Sequence, residues 1–128
     1  MKRPAILIAD DDGHVRSALR KRLSAMGYRV MESDDGLGVI SHTPLDRFAA
    51  IILDHEMPNG DGRSIARVIR HETDVPIIFL PGQNREEFRS ITMQLPEVYF
   101  LKKPLDSEKL SDLLESLGAL PCPATATA

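Results

Sequence analysis

Short, continuously apolar runs alternate with helical stripes of apolar residues along most of this chain of 128 residues. The runs at Ala5–Ala9 and Ala49–Leu53 are apolar throughout, which is typical of strands that are covered on both faces. From His14 to Met26, apolar residues recur at steps of three and four, and this spacing predicts an amphipathic helix. Gly27 is expected to end that helix. The chain therefore begins as a buried strand followed by a helix that packs against it.

The rest of the chain repeats this alternation. Tyr28–Glu32 alternates like a strand near the edge of a sheet, and a short helix is predicted from about Leu37 to His42. The further predicted elements are a helix capped by Asp61, a strand at Val75–Leu80, a weakly patterned helix at Arg85–Gln94, a strand at Val98–Leu101, and a last helix capped by Asp106 and ended by Gly118. Such alternation predicts an α/β fold of the (βα)5 type, a doubly wound sheet of five parallel strands with helices on both faces.

Composition indicates an ordinary soluble globular protein. Apolar residues make up 42%, and 16 Lys and Arg stand against 19 Asp and Glu, which argues against direct nucleic-acid binding and against a membrane partner. The longest apolar runs have five or six residues, against the roughly 20 that span a bilayer. The single Cys122 excludes an internal disulfide. We expect one cytoplasmic domain over residues 1–120, with a flexible tail or the start of a linker at 121–128.

Charged residues follow three of the predicted strands. Asp10–Asp12 follows the first strand, Asp54 the third, and Lys102–Pro104 the fifth. Ligands of an open parallel sheet lie at the carboxyl ends of its strands, so we expect these residues to share one pocket. Clustered carboxylates resist joint ionisation unless a cation compensates them, and Mg²⁺ is bound by one or two carboxylates with waters and a phosphate oxygen. A lysine opposite them pairs with phosphate as a point charge.

Simpler interpretations of the same residues remain open. Asp10–Asp12 could cap the first helix, whose N-terminus favours anions, and this alternative is strongest for Asp12. His55 is better interpreted as an exposed loop histidine than as a base or a ligand. The basic residues of the first helix, from Arg16 to Arg22, are typical of a solvated helix face.

Three strings of residues carry a family resemblance. They are Ile-Leu-Ile-Ala-Asp-Asp-Asp at Ile6–Asp12, Leu-Asp-His-Glu-Met-Pro-Asn-Gly-Asp-Gly at Leu53–Gly62, and the pair Lys103-Pro104. In this order and with these gaps, they resemble the receiver domain of two-component response regulators. The likeness extends from residue 4 to about residue 118. It implies a flavodoxin-like sheet with the strand order 2-1-3-4-5.

The resemblance also implies a role for each matching residue. Asp54 would be the phosphoacceptor, a carboxylate nucleophile that takes a phosphoryl group from a histidine kinase or a histidine phosphotransfer domain. Lys103 would hold a phosphoryl oxygen, and Pro104 would be the family's cis-proline that aims this lysine. The implied ligands of a Mg²⁺ cofactor are Asp11, Asp54, the backbone carbonyl of Glu56 and, through a water, Asp10.

Pro81 departs from the family's pattern. It stands twenty-two positions before Lys103, where the family has a Thr or Ser whose hydroxyl binds the phosphoryl group. Proline has neither a hydroxyl nor a backbone N–H to donate, whereas the N–H of Gly82 remains available to a phosphoryl oxygen. Phe100 matches the family's rotating aromatic residue. We therefore expect that Asp54 is phosphorylated but that the conformational switch is atypical.

Two other functions compete with this prediction. The first is a pseudo-receiver, a protein-binding module that phosphorylation does not control. The second is a small Mg²⁺-dependent phosphohydrolase. The absence of an Asp-x-Asp pair at Asp54 argues against it, and Glu56 is the nearest substitute for the second acid. We do not expect the protein to act as an enzyme on external substrates. We expect it to be a phosphoacceptor that catalyses its own phosphorylation and the hydrolysis of the phosphoryl group it carries.

The resemblance also implies surfaces for partners. In the family, histidine-bearing partners dock at the first helix, so its basic run is also a candidate docking surface. The predicted helix at 85–94, the fifth strand and the last helix match the family's usual face for a homodimer or a target. No output segment is recognisable, so we expect either a stand-alone regulator or one domain of a longer protein.

Overall fold

The computed structural model describes residues 4–54, 62–80, 95–101 and 106–119. Within these ranges the elements are β1 (Ala5–Ala9), α1 (Gly13–Ala25), β2 (Arg29–Ser33), α2 (Gly36–Ile40), a 3₁₀ turn (Leu45–Arg47), β3 (Phe48–Asp54), α3 (Gly62–Glu72), β4 (Ile77–Leu80), β5 (Val98–Phe100) and α4 (Ser107–Ser116). All five predicted strands are present, and their bounds differ from the predicted ones by no more than two residues. The 3₁₀ turn was not predicted.

The five strands form one parallel sheet in the order β2-β1-β3-β4-β5, which confirms the expected topology. In its register, Ala9 at the end of β1 lies opposite Ser33 on β2 and opposite Leu53 on β3. Asp10 and Asp54 each follow one of these paired residues. They therefore leave the sheet at the same edge, on neighbouring strands.

Helices cover the sheet on both faces because the side chains of the central strands alternate between two apolar clusters. Leu7 of β1 belongs to the cluster under α2 and α3, whereas Ile6 and Ile8 belong to the cluster under α1 and α4. All the residues of β1 and β4 are buried. This burial explains why their sequences are continuously apolar instead of alternating.

Polar residues and glycines define the helix ends as predicted. Asp106 caps α4, since its Oδ1 accepts hydrogen bonds from the backbone N–H of Glu108 at 2.8 Å and of Lys109 at 3.4 Å. Gly27 follows α1 with a φ of 101°, and Gly118 follows α4 with a φ of 79°. Both values lie in the left-handed region that glycine enters without a steric cost.

Three predictions about elements concern residues outside the described ranges. These are the helix at 85–94, the cap at Asp61 and the tail at 121–128. Among the described residues, every helix is too short or too polar to cross a membrane.

Candidate functional site

The carboxylates of Asp10, Asp11 and Asp54 come together at the carboxyl end of the sheet. One oxygen from each of the three lies within 4.8 Å of the other two. Asp10 is only 1% exposed, Asp54 is half-buried and Asp11 faces solvent. The parallel register of β1 and β3 brings the first and third of the predicted strand ends side by side. The acids that follow β1 and β3 therefore form one cluster, as the sequence predicted for this part of the site.

This cluster fits a Mg²⁺ ion. The three carboxylate oxygens lie within 4.8 Å of one another, and ligand oxygens of one Mg²⁺ ion, at Mg–O distances of 2.0–2.1 Å, are at most about 4.2 Å apart, so small side-chain adjustments allow these acids to share one ion. A carboxylate as buried as that of Asp10 is costly to keep charged without compensation. The exposed Asp11 leaves room for the water ligands that Mg²⁺ retains. A hard divalent cation meets all three requirements.

The turn after β1, which carries Asp10 and Asp11, is fixed by hydrogen bonds. The N–H of Asp10 donates to the backbone carbonyl of Ser33 on β2 at 3.2 Å, which continues the ladder of the sheet. The N–H of Asp12 donates to Oδ1 of Asp10 at 2.9 Å, and Oδ1 of Asp12 accepts from the N–H of His14 at 2.9 Å. Asp12 is therefore the cap of α1, as the simpler interpretation held for this residue. Asp10 and Asp11 instead belong to the acidic cluster.

Arg16 is part of this site, although sequence reasoning assigned it only to a solvated or docking face. Its Nη1 donates to the backbone carbonyl of Asp10 at 2.6 Å, and its Nε lies 3.5 Å from Oε1 of Glu32. Arg20 donates to the other oxygen of Glu32. The four-residue spacing of Arg16 and Arg20 was a usable signal, because it places both on one face of the helix. Their shared partner lies on another element and could not be found this way.

The predicted switch residues are described only in part. Phe100 lies in β5 opposite Phe79 of β4, and it is 46% exposed. The N–H of Leu101 donates to the backbone carbonyl of Phe79 at 3.0 Å, so β5 approaches the same edge of the sheet as Asp54. Five predicted site residues lie outside the described residues: Glu56, Pro81, Gly82, Lys103 and Pro104. Their roles stay predictions.

Comparison with known sequences identifies close similarity to one family. The model of the response regulator receiver domain matches residues 6–115. A probable transcriptional regulator, ycf27, from Porphyridium aerugineum is 31% identical over 117 residues, which cover 91% of this chain and 49% of that protein. The response regulator MprA from Mycobacterium avium is 34% identical over 113 residues, which cover 88% of this chain and 50% of that protein. The chain spans about half the length of the curated relatives it matches.

Solved structures agree with this result. The receiver domain of a sensor histidine kinase from Pseudomonas aeruginosa matches with a TM-score of 0.79 and 28% identity, and the match covers 90% of this chain and 98% of that one. That structure holds a magnesium ion in its active-site cleft. A response regulator receiver protein from Pseudomonas putida gives a TM-score of 0.78 and 28% identity, and the match covers 91% of this chain and 98% of that one. The fold, the match over residues 6–115 and these relatives establish that the chain belongs to the response regulator receiver domain family of two-component systems.

Proposed function

We propose that this receiver domain accepts a phosphoryl group on Asp54 from the phosphohistidine of a histidine kinase or a histidine phosphotransfer protein. One observation carries the proposal: Asp54 shares a cluster within 4.8 Å with Asp10 and Asp11 at the carboxyl end of the sheet. A half-buried carboxylate on a rigid strand, beside two more carboxylates, is suited to a cation-assisted reaction. The P. aeruginosa receiver domain, with magnesium in its cleft, supports the choice of metal.

The chemistry requires alignment and charge compensation. A carboxylate oxygen of Asp54 attacks phosphorus, the P–N bond of phosphohistidine breaks as the O–P bond forms, and the electron pair of the broken bond stays on the imidazole nitrogen. Mg²⁺, when bound, supplies positive charge to the phosphoryl oxygens. Asp11, Asp54 and the carbonyl of Glu56 would hold the ion directly, and Asp10 through a water. The domain thereby promotes its own phosphorylation and the later hydrolysis of its aspartyl phosphate. It does not turn over external substrates.

Phosphoryl oxygens need a second positive group besides the metal. Lys103, held in place by Pro104, would pair with one of them as a point charge. The N–H of Gly82 would donate a hydrogen bond to another. Together these groups would spread the added charge of the aspartyl phosphate over several contacts.

The conformational response to phosphorylation is proposed to be atypical because Pro81 offers no hydroxyl to the phosphoryl group. Phe100, which is 46% exposed, then lacks the trigger that couples such an aromatic to the site. This substitution also favours a second candidate, a pseudo-receiver that binds proteins independently of phosphorylation. The two candidates differ in whether Asp54 can be labelled.

The proposed partners follow from this function. The donor is a phosphohistidine protein, and a cytoplasmic location is proposed because the ATP that supplies its phosphoryl group is there. The basic run on α1 is the proposed docking surface for this donor. Phe100 in β5 and the exposed acids Asp112 and Glu115 of α4 mark the proposed face for a homodimer or a downstream target.

Intact-protein mass spectrometry after incubation with acetyl phosphate tests the proposal. We expect a phosphoryl adduct that requires MgCl₂ and is absent from Asp54→Asn. Asp12→Asn is the matched control, because it removes a neighbouring charge while asparagine still caps α1, and it should keep the adduct. A wild-type chain that remains unlabelled would support the pseudo-receiver instead.

The switch is tested separately with Pro81→Thr. In wild type, phosphorylation should leave the backbone amide resonance of Phe100 nearly unchanged in NMR spectra. In Pro81→Thr it should shift this resonance, because the hydroxyl restores a contact to the phosphoryl group. Equal shifts in both proteins would contradict the role given to Pro81.

A further inference from the structure

Arg16 of α1 holds the backbone of the acidic turn without belonging to the cluster. Its Nη1 donates to the carbonyl oxygen of Asp10 at 2.6 Å, and its Nε lies 3.5 Å from Oε1 of Glu32. We infer that Arg16 is a positioning residue that orients Asp11 and thereby sets the affinity of the site for Mg²⁺. This inference rests on the proposed function of the cluster.

The geometry of one peptide group connects Arg16 to Asp11. The carbonyl of Asp10 and the N–H of Asp11 belong to the same planar peptide unit, so a hydrogen bond to that carbonyl also restrains the Cα of Asp11. The N–H of Asp10 is held from the other side by the carbonyl of Ser33. Asp10 is thus fixed at both of its backbone groups. The exposed Asp11 depends on this restraint because its own side chain faces solvent.

The charge of Glu32 keeps the guanidinium of Arg16 in place. The side chains of Arg16 and Glu32 are 22% and 27% exposed, so their attraction is partly shielded from solvent. A guanidinium is a planar fork that can serve a carbonyl and a carboxylate at once, whereas the ammonium of lysine is a single point of charge. Because the side chain contacts two different groups at once, an arginine suits this position better than a lysine.

The sign of the effect on Mg²⁺ distinguishes positioning from simple charge. Arg16 brings a positive charge close to a proposed cation site, so by electrostatics alone its removal would strengthen Mg²⁺ binding. If it positions Asp11, its removal weakens binding. Arg20 offers a matched control, because it carries the same charge on the same helix, contacts the same Glu32 and is 53% exposed.

Proton–nitrogen NMR spectra recorded during titration with MgCl₂ measure the affinity without any phosphoryl transfer. We expect Arg16→Met to weaken Mg²⁺ binding by about 10-fold, the lower end of the effect of removing a group that orients a metal ligand. Arg20→Met should bind Mg²⁺ as tightly as wild type or more tightly. The amide resonance of Asp12 should also differ between Arg16→Met and wild type before Mg²⁺ is added, because this N–H bonds to Asp10.

Each result has one meaning. Binding by Arg16→Met that equals or exceeds wild type overturns the inference. If Arg16→Met does not fold, Arg16→Lys takes its place at constant charge: weakened binding supports the inference, and wild-type binding overturns it. The metal site itself is tested by the wild-type protein, which should show a saturable shift with MgCl₂ that Asp11→Asn abolishes. If it does not, the metal site proposed above is wrong, and this outcome is separate from the role of Arg16.

A second readout separates affinity from chemistry. At saturating MgCl₂, the rate at which acetyl phosphate labels Asp54 in Arg16→Met should return to the wild-type rate, because the variant lacks only metal affinity. A rate that stays low at saturation contradicts the assignment.

Discussion

Substitution of Tyr28 tests how the end of α4 is held against the rest of the domain. This residue precedes β2, is 3% exposed, and donates its hydroxyl to the backbone carbonyl of Ala119, just after α4. Burial raises the pKa of Tyr28 from its ordinary value of 10 to about 12, and the nearby Glu115 carboxylate adds to the rise. We predict that Tyr28→Phe destabilises the protein at neutral pH but not near pH 11.

The magnitude follows from these two observations. Tyr28→Phe keeps the ring but leaves the carbonyl of Ala119 without this donor, which should cost about 1.5 kcal/mol at pH 8. In wild type, the raised pKa favours the folded state fully below pH 10, and this contribution is lost as the pH rises from 10 to 12. Each pH unit in that window removes about 1.4 kcal/mol. The stability difference between the two proteins should therefore vanish near pH 11.

Urea unfolding at pH 8, 10 and 11 measures this difference, since lysines and other groups titrate alike in both proteins. The chain has two tyrosines and no tryptophan, so absorbance of the phenolate reports both pKa values directly. Tyr28→Phe should remove the later of two steps. Tyr99→Phe is the control, because the hydroxyl of Tyr99 bonds at the surface to Glu97 at 2.9 Å and its loss should change stability by less than about 0.5 kcal/mol.

Two results would refute this reasoning. One is a stability difference between wild type and Tyr28→Phe that stays constant from pH 8 to pH 11. The other is a spectrum in which both tyrosines ionise together near pH 10, which would mean that the Tyr28 hydroxyl is not shielded in solution.

Three further substitutions test other contacts of the fold by urea unfolding. Gly38→Ala should destabilise by about 1–3 kcal/mol despite alanine's better helix propensity, because a Cβ would lie 2.0 Å from Oγ of Ser33; a stabilised variant would show that α2 shifts freely. Arg70→Met should cost about 2–3 kcal/mol, since its guanidinium donates to three backbone carbonyls before β4 and β5; a loss below 0.5 kcal/mol would make these bonds incidental. Asp106→Ala should cost about 1 kcal/mol through loss of the α4 cap, whereas Asp106→Asn should cost little, and equal losses would exclude capping as the cause.

The sheet could be predicted from the sequence because burial on both faces leaves a simple signal. β1 and β3 are continuously apolar, and the alternating pattern of β2 matches its place at the edge. The 3₁₀ turn at Leu45–Arg47 could not be predicted this way, although Leu45 is 1% exposed. Three residues are too few to show a helical period, and their burial is decided by packing against the rest of the core.

The acidic cluster could also be predicted, because residue type and position at a strand end determine it. Asp10 and Asp54 need only the parallel register of β1 and β3 to meet. The contact between Arg16 and Glu32 depends on two further conditions. Glu32 must lie opposite Ile8 in the β1–β2 register, and α1 must cross the sheet at an angle that brings the Arg16 side chain to Glu32. Neither condition is visible in the local pattern of α1, which indicated only a polar face.

The edge strand β2 has a larger part in the site than its position suggests. Ser33 accepts the N–H of Asp10, and Glu32 holds the arginine that binds the Asp10 carbonyl, so two restraints on the acidic turn originate in β2. An edge strand is hydrogen-bonded to one neighbour only and opens more readily than a central strand. A partner that displaces β2, or a substitution within it, should therefore change the geometry at Asp11 without touching a metal ligand. The chemistry belongs to the turn, but its precision depends on β2 and α1.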